Sequence, residues 1–135
     1  MHSDYIRADE WTQKVIGAAI EVHRNKGPGL LESIYEKCMM RECELQSIPA
    51  VAQVDVEIEY KGYVFPESLH MDLYVDECLI VEIKAVERVL PIHKAQLLSY
   101  MKLMNAPLGL LINFHSVQLV NGISRLILPG ADAAD

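Results

Sequence analysis

The stretch Leu69–Lys84, LHMDLYVDECLIVEIK, places an Asp, a Glu and a Lys where a plain apolar ladder would have been simpler. Leu69, Met71, Leu73 and Val75 alternate with His70, Asp72 and Tyr74, and Leu79, Val81 and Ile83 alternate with Ile80, Glu82 and Lys84. That period of two predicts two strands, each with one oily face and one chemically loaded face. Register decides whether the loaded faces coincide, because directly paired residues of an antiparallel ladder project to the same side. A two-residue turn at Asp76 and Glu77 sets Asp72 opposite Val81 and divides the acids between faces. A three-residue connection, Asp76 to Cys78, pairs Leu73 with Val81, Met71 with Ile83, Asp72 with Glu82 and His70 with Lys84, and this is the predicted register. Facing carboxylates repel and are costly to bring together, so the arrangement calls for a compensating cation, either Lys84 or a divalent metal. Taken alone, the trio is read more readily as a salt-bridged cluster on a solvated sheet face, since surface charge pairs are common and worth little.

The flanking sequence supplies elements to position this hairpin. Tyr5 to Arg24 carries Val15, Ala18, Ala19 and Val22 at helical spacing, and Asn25–Gly29, NKGPG, breaks the helix. A second helix is predicted from Leu30 to Gln46, burying Leu31, Ile34, Tyr35, Cys38, Met39 and Leu45, with Glu32 in its first turn, where an acid complements the helix dipole. His23 reads as a partly buried histidine near a helix end. Gln53 to Tyr60 alternates as a half-exposed strand and turns at Lys61 and Gly62. Beyond the hairpin, Pro91 suits the first position of a helix reaching Asn105, with Gln96 and Tyr100 one turn apart. Leu108–Phe114, LGLLINF, is a near-continuous apolar run of the kind a strand covered on both faces shows, and the helix before it predicts a parallel neighbour. A final hairpin is expected from Val117–Val120 and Ile123–Leu128 around Asn121 and Gly122, followed by a frayed tail, PGADAAD.

The expectation is one domain over residues 1–135, with a core at about 11–128 and a flexible C-terminal tail. The three cysteines, Cys38, Cys43 and Cys78, form no CxxC pair, which argues against a disulfide framework and a zinc ribbon. No window approaches the ~20 apolar residues of a membrane span, and MHSDYIRADEW has no signal-peptide core, so the default compartment is the cytoplasm and no membrane role is expected. The formal net charge of −7 is the wrong sign for gripping nucleic acid through charge alone. A nucleic-acid substrate would need a locally basic path, a metal or a partner subunit.

In order and spacing these elements resemble the GxxExxY proteins of the PD-(D/E)xK nuclease superfamily, over about Trp11 to Leu128. The naming motif is Gly29, Glu32 and Tyr35 within GPGLLESIYE, the acidic motif is Asp72 in HMDLYV, the ExK motif is Glu82, Ile83 and Lys84 in VEIKAVE, and Gln96 and Tyr100 form a QxxxY element. The resemblance implies an α/β, restriction-endonuclease-like core, a central mixed β-sheet flanked by helices. It implies that Asp72 and Glu82 bind a divalent metal, Mg²⁺ or Mn²⁺, with the Ile83 backbone carbonyl, and that Glu32 is a further acid, direct or through water. Lys84 would position or activate the attacking water and Gln96 would orient a ligand or the Lys. Nucleic acid, DNA favoured, is the implied partner. His70 departs from the pattern, standing where an Arg is expected two residues before the Asp.

The chemistry is consistent with that resemblance. Hydrolysing a phosphodiester requires a nucleophile from water near neutral pH and neutralisation of charge building on the phosphate, and oxygen-ligated Mg²⁺ or Mn²⁺ supplies both. Lys84 is stabilised as a cation by Asp72 and Glu82 and destabilised by metal and burial, so its role as base stays unassigned. The alternative reading is a catalytically silent binding or assembly module that acts through a protein or nucleic-acid partner, or as a homo-oligomer. Arg24, Lys26, Arg88 and Lys94 fall near the loaded residues in sequence and are equally compatible with a basic mouth to the site and with scattered surface charge.

Overall fold

Apolar residues three and four apart let the chain begin as two helices. The computed structural model describes residues 1–134. Helix α1 (Tyr5–Lys26) buries Ala8, Val15, Ala18, Ala19 and Val22 along one stripe. Helix α2 (Glu32–Leu45) buries Tyr35, Met39 and Cys43, each one turn after the last. It starts two residues later than expected, which leaves Leu31 extended outside the helix, and Leu45 falls on the face opposite Cys43: they are 72% and 60% exposed. Ile34 is exposed as well and Cys38 half-buried.

The strands are β1 (Ala50–Tyr60), β2 (Tyr63–Val75), β3 (Leu79–Lys84), β4 (Leu108–Asn113) and β5 (Ile123–Ile127), and they lie side by side in chain order. Helix α3 (Pro91–Met104) carries the chain across from β3, so that β3 and β4 run parallel while every other pair is antiparallel. Every residue of β4 is buried, as its apolar run predicts. One core joins α1 and α2 to Leu73, Val75, Leu79, Val81 and Ile83, and a second core joins Leu97, Tyr100 and Met101 of α3 to Val56, Met71, Ile80 and Leu111. The architecture is the expected mixed α/β arrangement, helices flanking a central sheet.

The central hairpin turns through Asp76, Glu77 and Cys78 and pairs Val75 with Leu79, Tyr74 with Ile80 and Leu73 with Val81, the predicted register. Beyond Leu73 the two strands part. The alternation in β2 also breaks there: Leu73 and Val75 pack under α1 and α2, whereas Met71 packs under α3 with Leu69 beside it. The break falls at Asp72, across from Gln53 of β1, whose φ of 53° interrupts regular pleating. The expected single oily face of β2 is therefore two, and Met71–Ile83 and His70–Lys84 do not continue the ladder. His70 instead pairs with Asp55 of β1, Nδ1 to Oδ1 at 2.6 Å, out in solvent.

Among the described residues the expected terminal hairpin around Asn121 and Gly122 does not form. Leu119–Gly122 is a 3₁₀ turn that feeds β5 directly against β4. Gly122 serves there for close approach rather than for a hairpin turn, since a Cβ would fall 2.5 Å from the Asn113 carbonyl oxygen and from Ser116 Oγ. The tail is tied down further than expected. Ala131 is buried, its carbonyl accepts the His2 N–H at 2.9 Å, and its own N–H donates to Leu128. The last residue of the expected frayed segment, 135, lies outside the described residues.

Candidate active site

Where β2 and β3 part, side chains take over the work of the ladder. Asp72 Oδ2 accepts the Ile83 N–H at 2.7 Å, and Glu82 Oε1 accepts the Asp72 N–H at 3.3 Å. Each carboxylate thus satisfies a backbone donor of the neighbouring strand, and the two acids are held against each other by the chain itself. Glu82 is only 6% exposed, next to Leu111 of β4, while Asp72 is half-buried. Burial first, and then the Asp72 carboxylate, push the Glu82 carboxyl up to about 9. At neutral pH, without another cation, the pair therefore carries one proton.

Glu32 enters from the start of α2. Burial pushes its carboxyl up, the Lys84 ammonium and the Ala85 N–H oppose that shift, and Asp72 adds to it. Glu32, Asp72, Glu82 and Lys84 are in this way brought into mutual electrostatic range from α2, β2 and β3. Lys84 is half-buried and ends β3 in register with Asn113 of β4. Gln96 is exposed, and its Nε2 donates to the Tyr100 hydroxyl at 3.1 Å. Tyr100 carries the contact inward, its phenol pushed up by burial and then by Glu82.

The loop before α2 explains why Glu32 arrives where it does. Gly29 adopts a φ of 100°, which side chains resist. The Tyr35 hydroxyl donates to the Gly27 carbonyl at 2.5 Å and accepts the Leu30 N–H at 3.1 Å, closing the loop over one turn of helix. Its ring stacks on Phe114 at 4.6 Å, which fixes the start of α2 to the end of β4. His23 is structural: its Nε2 lies 2.8 Å from the Ser116 carbonyl oxygen.

Asn113 was hidden in the apolar run of β4. It is buried, its Oδ1 accepts from Val86 at 3.1 Å and His115 at 3.2 Å, and its Nδ2 donates to the Val86 carbonyl at 2.9 Å. With the Phe114 N–H donating to the Lys84 carbonyl, it anchors the chain leaving the ExK strand. The signal was the lone amide in LGLLINF, since a buried amide is retained where backbone groups need it. Of the two arrangements the sequence left open for the basic residues, the structure favours dispersal: Lys26 lines a groove between α1 and α2 with Lys37 and Arg41, Arg24 pairs with Glu21, and Arg88 and Lys94 share a different pocket.

Among the described residues no three His, Cys, Asp or Glu side chains form a ready metal cage. The three acids do not converge as a ligand set; the convergence is of two carboxylates with Glu32 beside them. That pair fits a hard divalent cation all the same, because facing oxygen donors that share a proton present the charge and ligand type such ions take.

A family model of the PD-(D/E)XK nuclease superfamily matches residues 9–126, and the chain belongs to that superfamily. Its members typically use divalent metals and act on nucleic acid. The solved structure described as "Crystal structure of SSO0001" is similar in fold, with a TM-score of 0.56 and 22% identity over 71% of this chain. The match covers 49% of that protein's chain, so the present chain spans about half of it. No curated protein matches. Among the described residues no helix is long and apolar enough to cross a membrane.

Proposed function

We propose that the chain is a divalent-metal-dependent nuclease that hydrolyses phosphodiester bonds of nucleic acid, DNA favoured, and that it is of the GxxExxY type. The observation that carries this reading is the carboxylate pair, Asp72 and Glu82, each bonded to the other's strand, with Lys84 two residues on and Glu32 in electrostatic range. Asp72 and Glu82, with the Ile83 carbonyl, would hold Mg²⁺ or Mn²⁺. A bound ion would supply Lewis-acid neutralisation of phosphate charge and make water acidic enough to attack near neutral pH. Lys84, in electrostatic range of Glu32 and Glu82, would stabilise charge developing on the phosphate. Tyr100 lies in electrostatic range of Glu82, with Gln96 at its hydroxyl. In support of the GxxExxY type, the three motif residues act as one device: Gly29 turns the loop, Tyr35 locks it, and Glu32 is thereby aimed at Lys84.

The test is a cleavage panel of single- and double-stranded DNA and RNA with Mg²⁺ or Mn²⁺. Turnover by the wild type that Lys84→Ala abolishes, with the far-UV spectrum and melting temperature preserved, is the expected result. One observation favours the binding-module alternative, namely that the basic residues are dispersed rather than gathered at Asp72 and Glu82. Nucleic-acid or protein binding that survives Lys84→Ala, with no cleavage of any substrate, would establish that reading instead.

A further inference from the structure

Four of the five arginines are held in ion pairs: Arg7 with Asp4 and Asp76, Arg24 with Glu21, Arg41 with Glu44 and Arg125 with Asp9. Arg88 is the exception among the described residues. It lines a pocket of about 300 Å³ with Lys94, which likewise has no ion-pair partner, and with the hydroxyls of Ser116 and Ser124. Glu87 also borders this pocket, so its rim carries two positive charges against one negative. That balance is too weak to grip a polyanion and suited to a single phosphate group, for which guanidinium, ammonium and hydroxyl are the common donors.

The pocket is built rather than incidental. Asn113 forms part of its lining while bonding Val86 on both backbone groups, which fixes the segment leading to Arg88. Gly122 closes another part, where no Cβ has room. The pocket also lies at the end of the sheet where Lys84 and Asn113 finish β3 and β4 in register. Arg88 follows Lys84 by four residues, which the chain can span in no more than about 14 Å. Phosphates along one strand of a duplex recur every ~3.4 Å of helix axis, so the pocket lies within a few nucleotides of Asp72 and Glu82.

We propose that the Arg88–Lys94 pocket is a phosphate subsite, which receives a phosphate of the nucleic-acid strand next to the bond presented to Asp72 and Glu82. This rests on the nuclease reading for its role and on the pocket alone for its chemistry. The phosphate comes either from an internal linkage or from a strand end. The subsite would set the register of the strand over the acids, and it gives a chain of charge −7 one local anchor for a single phosphate.

Two measurements test it. The first is a titration of ¹⁵N-labelled protein with inorganic phosphate at constant ionic strength. Amides of Ser116, Gly122 and Ser124 should shift in the wild type and stay still in Arg88→Ala/Lys94→Ala. No shift in the wild type, or an equal shift in the double variant, overturns the proposal. The second measures cleavage of oligonucleotides with and without a terminal phosphate. The double variant should raise KM by about tenfold or more and flatten the salt dependence of binding by roughly two ions. A rise on both substrates assigns an internal phosphate, and a rise on the phosphorylated one alone assigns a strand end. If the double variant cleaves like the wild type while Lys84→Ala is inactive, the subsite is wrong and the nuclease reading stands. If the wild type cleaves nothing but phosphate still shifts the pocket amides, the nuclease reading fails and the anion site stands.

Discussion

Replacing Glu82 with Gln should make the protein more stable, by an amount that depends on pH. In the folded chain the Glu82 carboxyl is pushed up to about 9, from an ordinary 4.5, by burial and by Asp72. Between those values the folded chain keeps the proton and the unfolded chain releases it. Stability from this group is therefore fully present below about pH 4.5 and is lost as pH rises toward 9. At pH 7 the loss amounts to about 3 kcal/mol. Gln mimics the protonated acid: its oxygen can accept the Asp72 N–H that Glu82 now accepts, and its amide can donate to the Asp72 carboxylate. The variant should then unfold about 3 kcal/mol later than the wild type at pH 7 in chelator, a rise in Tm of roughly 10 °C for a chain of this size, and the two should converge near pH 4.5. Urea denaturation at several pH values reads this directly. Mn²⁺ at pH 8 should raise the midpoint of the wild type, where it replaces the proton, and leave the variant unmoved. A wild-type stability that is flat or rising between pH 5 and 8, with the variant parallel to it, would refute the account of the carboxylate pair.

Tyr35→Phe removes the hydroxyl that bonds Gly27 and Leu30; it should cost about 1–3 kcal/mol in urea and weaken cleavage, because Glu32 loses its fixed approach. Asn113→Ala strands two N–H groups and one carbonyl, so a loss of at least ~2 kcal/mol is expected by calorimetric melting, and a variant as stable as wild type would mean that water replaces the amide. At pH 8 a disulfide reagent should titrate half-buried Cys38 quickly and leave Cys43 and Cys78 until the chain unfolds, since burial, helped by Glu42, pushes the Cys43 thiol up to about 11.

The turn and register of the central hairpin were legible in the sequence for a simple reason: a three-residue connection pairs Leu73 with Val81, and the chain takes it as far as that pair. Burial of β4 and its parallel pairing with β3 were legible because an apolar run after a crossover helix has few other places to go. The switch of β2 between cores at Asp72 was not, because period-two reasoning assumes a strand keeps its faces, and the irregularity that breaks them sits in β1, at Gln53. The terminal hairpin failed on a similar point. Asn121–Gly122 is a strong turn signal locally, but the glycine is needed against Asn113 and Ser116, a contact no local window contains. Glu32 could be placed on its helix, whereas its opposition to Lys84 depends on the loop geometry that Tyr35 enforces.

Because β2 passes from one hydrophobic core to the other at Asp72, the far part of the β1–β2 arm is clamped to α3 while its base is clamped beneath α1 and α2. Packed side chains resist sliding, since small displacements forfeit many contacts at once. A polar seam held by a few hydrogen bonds gives way first. The candidate carboxylates sit at that seam, Asp72 where β2 changes cores and Glu82 on β3, which contributes to both.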